Sequence, residues 1–407
     1  MDYLTNLLSK PQDKLALITE QGSYSYGELA RRALELREQY SFTSPVQFIH
    51  RSTILEQLLD FIALSGTATV PVIATEESRG NIYEVTSVPA NAVMGAMTSG
   101  STGKSKLLWR SYGSWADFFP EQNRVFNFDE DTIIFCQGSL AFTGNLNIYM
   151  GILDLGATLV CTERFRPKTW LKMMAQHKAN AIYLVPSKLM LLTKNMTYPN
   201  ELIRSIVCGS SSMGRQEADR VADLFPNSEL TLYYGASELN YITYIRGREM
   251  TEDRTDIGLP FKGVGIAIRN EEIYIDTPYH IEGIELPFTL KDRGSIDAAG
   301  HLHFLGRTDD ILSVNGRKVS SMKVEEALRA LPGINELAVL SLHEGDEDML
   351  TAFIAMEPGT CYTKHELVKL LNEGYLDAYE VPKRFVFMDE LPKNESGKID
   401  KKKLLRG

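Results

Sequence analysis

Apolar residues in the first part of the chain fall into short blocks that alternate between two periods. Residues 15–18 form a compact apolar run, and residues 23–25 a partner for it. Residues 26–40 carry Leu29, Ala33 and Leu36 on one face behind Ser25 in a capping position, which predicts a helix. Further strands are expected at 46–49, 67–73, 91–97, 131–137, 158–161, 181–185, 206–209 and 230–233. Further helices are expected at 53–65, around 114–119, and at 145–154, 170–177 and 215–224. Strands separated by helices predict an α/β fold on a parallel sheet, with ligand-binding loops at the C-terminal ends of the strands. From residue 263 the pattern changes to short strands at 265–269, 272–276, 294–297 and 301–304, a small β-rich module. The remainder has its own mixed pattern and the size of an independent small domain. The expected organisation is α/β: a large N-terminal domain over 1–305, a polar linker Gly306-Arg-Thr-Asp-Asp310, and a small α+β domain over 311–407.

The chain has 407 residues, 43% hydrophobic and 24% charged, so it can bury a large core without disulfide staples. A formal net charge of -10 argues against a nucleic-acid partner, which calls for a basic face. Cys136, Cys161, Cys208 and Cys361 are scattered, with neither metal-cage nor disulfide spacing, as suits a reducing cytosol. The N-terminus lacks the basic start and apolar core of a signal peptide, and no run is long and apolar enough to span a bilayer. The expectation is a cytoplasmic protein without a transmembrane segment.

The densest candidate chemistry is Met97-Thr-Ser-Gly-Ser-Thr-Gly-Lys-Ser-Lys106. Small residues leave backbone N–H groups free to approach a phosphate, and lysines supply charge. A Ser/Gly-rich surface turn has the same composition. From Thr98 to Ser105 the loop also fits G-x-x-x-x-G-K-[ST] except at its first position, so a P-loop ATPase is a rival that only the rest of the chain can exclude.

Four further motifs follow in order. They are Tyr234-Gly-Ala-Ser-Glu238, Asp292 within Leu290-Lys-Asp-Arg-Gly294, Gly306-Arg-Thr-Asp-Asp310 ahead of Asn315-Gly-Arg317, and Leu391-Pro-Lys-Asn-Glu-Ser-Gly-Lys398. With the glycine loop they resemble the adenylate-forming superfamily of acyl-CoA synthetases, nonribosomal-peptide adenylation domains and luciferases, whose motifs read T-S-G-T-T-G-x-P-K-G, Y-G-x-T-E and L-P-x-x-x-x-G-K. The resemblance runs from about Ala16 to Leu405, and the shared order weighs against the P-loop reading.

The resemblance implies that ATP and a small-molecule carboxylic acid react to an acyl-adenylate, and that the acyl group then passes to coenzyme A or a carrier-protein phosphopantetheine. It implies that Thr98, Ser99, Gly100, Ser101, Thr102 and Gly103 hold the phosphates with Lys106 nearby, and that Tyr234, Gly235 and Ser237 line the nucleotide. Glu238 would ligate Mg²⁺, Asp292 would accept the ribose hydroxyls, and Arg307 would add a contact to ribose or phosphate. Lys398, on a mobile C-terminal domain, would bridge the carboxylate and the α-phosphate. Phe142, Gly209 and Ser210 would line the acyl pocket, Asp309 would be the hinge, and Gly316 would leave room for a pantetheine arm. Each residue has a plainer reading: Glu238 as a helix cap, Asp292 as a turn residue, Arg307 paired with Asp309 or Asp310, Lys398 solvated.

The chain also departs from the family. Ser105 and Leu107 replace a Pro and a Gly, Phe142 replaces a pocket histidine, Ser313 replaces a lysine, and the region ahead of the glycine loop is short. Phe142, Leu146 and Ile148 suggest an apolar acyl group, and the absence of the F-D-x-S segment of amino-acid adenylation domains suggests a non-amino acid. The expected activity is an AMP-forming acyl-CoA ligase. The alternatives are loading of an amino or aryl acid onto a carrier protein, and a non-catalytic nucleotide-binding regulator.

Overall fold

Six strands lie side by side and parallel in the order Glu229–Ala236, Ser205–Gly209, Ala181–Tyr183, Ile133–Gln137, Thr158–Thr162 and Leu15–Thr19. Three of them, Ser205–Gly209, Ala181–Tyr183 and Thr158–Thr162, are buried at every residue. Strands of that kind need cover on both faces. Antiparallel strands close the edges: Gly22–Ser25 beside Leu15–Thr19, and Asn240–Arg246 with Leu259–Pro260 beyond Glu229–Ala236. The structure, a computed structural model, describes residues 2–74, 85, 87–98, 106–314, 317–344, 347–357, 359–373, 376–393 and 399–405.

Side-chain alternation assigns the two faces. Ile182, Ile206 and Leu232 pack in one core with Trp170, Leu189, Leu192 and Val221, which come from the helices Pro167–Gln176, Pro186–Lys194 and Arg215–Leu224. Tyr183 and Tyr233, next in sequence, turn to the opposite face. Their hydroxyls meet at 2.9 Å close to Gly144, in the first turn of the helix Thr143–Leu155.

Most of the expected elements are present within a few residues. Ser25 and Thr53 cap the helices Tyr26–Gln39 and Ile54–Leu64 by accepting from the amides of Glu28 and Glu56. The helix Tyr3–Leu8 and the strand Lys106–Ser111 were not indicated by the pattern, and two further differences have a clear physical reason. The strand expected at 181–185 stops at Tyr183, and Pro186 opens a helix instead of merely ending a strand, because its fixed φ and missing N–H suit a first helical position. Asn240–Arg246 is a strand that the pattern did not indicate. It is buried at Asn240 to Thr243 and again at Ile245, so it shows no alternation.

A second sheet sets Val46–Ile49, Val70–Ile73 and Ala92–Thr98 parallel, with Lys106–Ser111 antiparallel to the last. The glycine loop therefore joins two strands of a hairpin, with Thr98 and Lys106 as register partners at its base.

The chain divides into two compact units, Met1–Ile266 with Ile275–Phe288, and Ala267–Tyr274 with Thr289–Gly407. In the second unit Asp292–Ile296 and Leu302–Arg307 pair antiparallel. Its main core gathers Val319, Val324, Leu328, Val339, Ala352, Ile354 and Leu367. Val319 comes from the strand Arg317–Ser320, and the others from the helices Ser321–Arg329 and Lys364–Asn372 and the strands Ile334–Glu344 and Glu347–Met356, which form a sheet with Arg384–Met388. Thr363 and Glu366 cap the second helix reciprocally. Among the described residues no helix is long and apolar enough to cross a membrane.

Trp115 ties the first unit together. It is fully buried, edge-on to Tyr3, Phe61 and Phe119, and its indole N–H donates to Asn147 Oδ1 at 2.6 Å. The Asn147 amide in turn donates to Asn240 Oδ1 at 2.9 Å. Trp115→Phe should lower stability by roughly 1–3 kcal/mol, because the half-buried Asn147 loses its donor and a void opens. A urea midpoint that falls at unchanged slope would show this; an unchanged midpoint would deny Trp115 that role.

Candidate active site

The turn at residues 234–238 is built from a bulged hairpin. Glu229–Ala236 pairs with Asn240–Arg246, and the register slips between Tyr234 and Gly235. A Cβ on Gly235 would stand 2.5 Å from the Asn240 carbonyl oxygen, so the bulge admits no side chain there. Asn240 takes a positive φ of 63° to close the turn. Ser237 follows, and its hydroxyl lies 2.8 Å from that of Thr143. This links the turn to the start of the helix Thr143–Leu155. The Glu238 side chain is half-buried, and its carbonyl accepts from Ile281 N at 2.9 Å.

Beneath this turn lies Arg110, which the sequence did not single out. It sits on the strand that leaves the glycine loop and is 4% exposed. Its guanidinium donates to the carbonyls of Ser237 at 2.6 Å, Ser114 at 2.9 Å and Tyr279 at 3.2 Å. Burial pushes the guanidinium down to about 10, and the Glu238 carboxylate acts in the opposite sense. It therefore stays charged at neutral pH, a fixed cation under Ser237 and Glu238. A second tie runs parallel to it, since Glu282 N donates to the Trp109 carbonyl at 2.8 Å.

At the ends of the parallel strands, Gly209 is buried, and a Cβ there would meet the Tyr233 ring at 2.4 Å. Ser210 follows with a positive φ of 79°. Phe142 is half-buried beside Gly144, while Leu146 and Ile148 are 2% and 0% exposed and belong to the core. Lys106 is exposed. Tyr234, Gly235, Ser237 and Glu238 thus share one turn, with Phe142, Gly209 and Ser210 at or beside strand ends of the same unit.

In the second unit Asp292 and Arg307 are register partners on adjacent strands, and Arg307 Nε lies 3.4 Å from Asp292 Oδ1. Only 8% of the Asp292 side chain is exposed, against 46% for Arg307. Thr308–Asp310 forms one 3₁₀ turn directly after the strand, and Gly306 has a positive φ of 94°. Ser99, Gly100, Ser101, Thr102, Gly103, Gly316 and Lys398 lie outside the described residues, as do the side chains of Thr98 and Asp309.

The expected Mg²⁺ is compatible with these residues. Among the described residues no cluster of three or more His, Cys, Asp or Glu could hold a metal, but Mg²⁺ keeps several waters and binds through one or two carboxylates plus substrate phosphates. Such a site needs no preformed cluster, and the turn offers the Glu238 carboxylate. Arg110→Met should cost the unit about 1–3 kcal/mol, because one buried and two part-buried carbonyls lose their donor. Urea unfolding checks this, and an unchanged midpoint would mean that the fork is dispensable.

Comparison with known proteins identifies the family. Residues 57–280, more than half of the chain, match the AMP-binding enzyme family, and residues 323–398 match the AMP-binding enzyme C-terminal domain. The uncharacterized acyl-CoA ligase YhfT of Bacillus subtilis is 26% identical over 353 residues, covering 81% of this chain and 72% of that protein. The putative long chain fatty acid-CoA ligase VraA of Staphylococcus epidermidis is 22% identical, covering 99% of this chain and 97% of that protein. Among solved structures, ATP-bound MatB from Rhodopseudomonas palustris superposes with a TM-score of 0.82 at 20% identity, over 100% of this chain and 98% of that one. The chain belongs to the AMP-binding enzyme family, the adenylate-forming ligases, and it activates a carboxylic acid as an acyl-adenylate.

Proposed function

We propose that this ligase is an AMP-forming acid–thiol ligase whose acceptor is coenzyme A. The observation that carries the reading is the Arg110 fork, which fastens the Ser237–Glu238 turn to the strand leaving the glycine loop. A phosphate-binding hairpin and a carboxylate for a phosphate-bound cation are thereby held on one body. The acyl-CoA ligases among the relatives support coenzyme A as acceptor.

In the first half-reaction a carboxylate oxygen of the acid attacks the α-phosphorus of ATP, and the bond to pyrophosphate breaks. In the second, the thiol sulfur attacks the acyl carbonyl carbon and AMP leaves. The first step brings an anion to a polyanion, so it requires oriented N–H donors and cations. We assign the donors to Thr98–Gly103, with Lys106 beside them. Glu238 would hold Mg²⁺, whose charge would screen the phosphates. Tyr234, Gly235 and Ser237 would line the nucleotide, and Asp292, steadied by Arg307, would accept the ribose hydroxyls. Lys398 would neutralise charge as the new bond forms. Asp309 would be the hinge between domains 1–305 and 311–407, and Gly316 would give the pantetheine arm passage.

The test is acid-dependent ATP–pyrophosphate exchange, followed by thioester formation with coenzyme A or a phosphopantetheinyl carrier protein. Lys398→Ala should lower exchange by roughly 100-fold or more while leaving ATP affinity within a fewfold, because the contact belongs to the transition state. Exchange near the wild-type rate would remove Lys398 from the mechanism. Asp292→Ala should instead weaken ATP binding, and a wild type that used 2′-deoxy-ATP as readily as ATP would refute the ribose role. Thioester formed only on the carrier protein would replace coenzyme A as the acceptor.

A further inference from the structure

One buried cation in the first unit has no structural employment. Lys188 is the third residue of the helix Pro186–Lys194, which follows the strand Ala181–Tyr183. It is 9% exposed. Among the described residues none forms an ion pair or hydrogen bond with its ammonium, and burial alone lowers its proton affinity, to about 8. Its position in the first helical turn adds the unfavourable end of the helix dipole. An ammonium largely withdrawn from water without a counter-charge is destabilising, so a purely structural role is better served by an apolar residue of similar volume.

The geometry says where the ammonium is aimed. Its Nζ lies 3.9 Å from where a Cβ would stand on Gly138, the residue directly after the strand Ile133–Gln137. Gly138 has a φ of 119° and opens the segment that leads through Phe142 into the helix Thr143–Leu155. Lys188 is thus at the C-terminal edge of the parallel sheet, the edge that also carries Gly209, Ser210 and the turn with Glu238. In the strand order, Ile133–Gln137 stands three places from Glu229–Ala236. At about 4.8 Å per strand that is roughly 14 Å from the strand that carries the adenylating turn. Phe142, the Tyr183–Tyr233 hydroxyl pair and Gly209 lie along the way.

We propose that Lys188 binds the distal carboxylate of the substrate, so that the acid activated here is an α,ω-dicarboxylic acid with an apolar stem. This deepens the adenylating-ligase reading and rests on it. One carboxylate reacts at the phosphate end. The stem runs past Phe142, and the far carboxylate supplies the charge that Lys188 lacks. The Phe142 ring suits an apolar stem, and the far end meets a cation that a plain fatty acid would leave unpaired.

The experiment measures pyrophosphate exchange with acids matched in length: adipate, suberate and sebacate against hexanoate, octanoate and decanoate. The wild type should favour the best diacid over its monoacid by roughly 100-fold in kcat/KM, the scale of a desolvated charge pair. Lys188→Met should abolish that preference by lowering the diacid value and leave the monoacid within a fewfold. Lys188→Glu should lose the diacid and gain the ω-amino acid of the same length. The melting temperature of Lys188→Met should match or exceed that of the wild type. Independently of any variant, saturating suberate should raise the wild-type melting temperature more than octanoate does. A wild type that exchanges both series equally, or a Lys188→Met that lowers both alike, would overturn the proposal. Exchange with an aryl or amino acid but with no acid of either series would overturn this proposal and leave the adenylating reading standing, whereas exchange with no acid of any class would overturn both.

Discussion

A guanidinium withdrawn from water must meet acceptors that it can reach as a fork, and that requirement organises the first unit. Arg110 satisfies it with three backbone carbonyls, one each from residues 114, 237 and 279. Carbonyls of remote segments can converge on one cation only if those segments are held in place. The segment at 281–282 helps to hold them, since Ile281 N binds the Glu238 carbonyl and Glu282 N binds that of Trp109. The strand leaving the glycine loop and the turn carrying Glu238 therefore form one rigid body. The Thr143–Ser237 contact extends it to the helix Thr143–Leu155.

The large sheet supplies the frame for this body. Its central strands are buried on both faces, so their sequences are nearly continuous apolar runs, and those runs were legible. Helix starts were legible too where a side chain marks them, as Ser25 and Thr53 do. Pro186 carries two meanings in a sequence, the end of a strand or the first residue of a helix, and only the packing of Leu189 and Leu192 under the sheet selects the second. The strand Asn240–Arg246 shows no alternation because it is covered on both sides, so period alone could not reveal it.

The site divides along the same line. Tyr234 to Glu238 could be singled out because they resemble a family motif, and the bulged turn accounts for its glycine. Arg110 could not, because what matters about it is the backbone it touches, and carbonyls have no signature in sequence. Lys188 was hidden for a different reason. A lysine in an apolar helix reads as a solvated face, and only its burial and its missing partner set it apart.

The departures in the glycine hairpin have a packing explanation. Where the family places a small residue, this chain has Leu107, the register partner of Met97. Two residues on, Trp109 faces Gly95 across the strands. A Cβ on Gly95 would stand 3.0 Å from the Leu107 side chain, 3.0 Å from the Trp109 ring and 2.7 Å from Val72. The volume gained at 107 and 109 is thus accommodated by the missing side chain at 95. An aromatic laid over a strand glycine shields backbone that would otherwise be exposed. Leu107 and Trp109 then join Val46, Val72, Ala74 and Met97 in one apolar cluster. The hairpin is thereby stiffened by side chains on the same strand that carries Arg110 at its buried end. With the motif's last glycine replaced by Leu107, cross-strand packing holds the base of the hairpin at Thr98 and Lys106, on the strand that Arg110 ties to the Ser237–Glu238 turn.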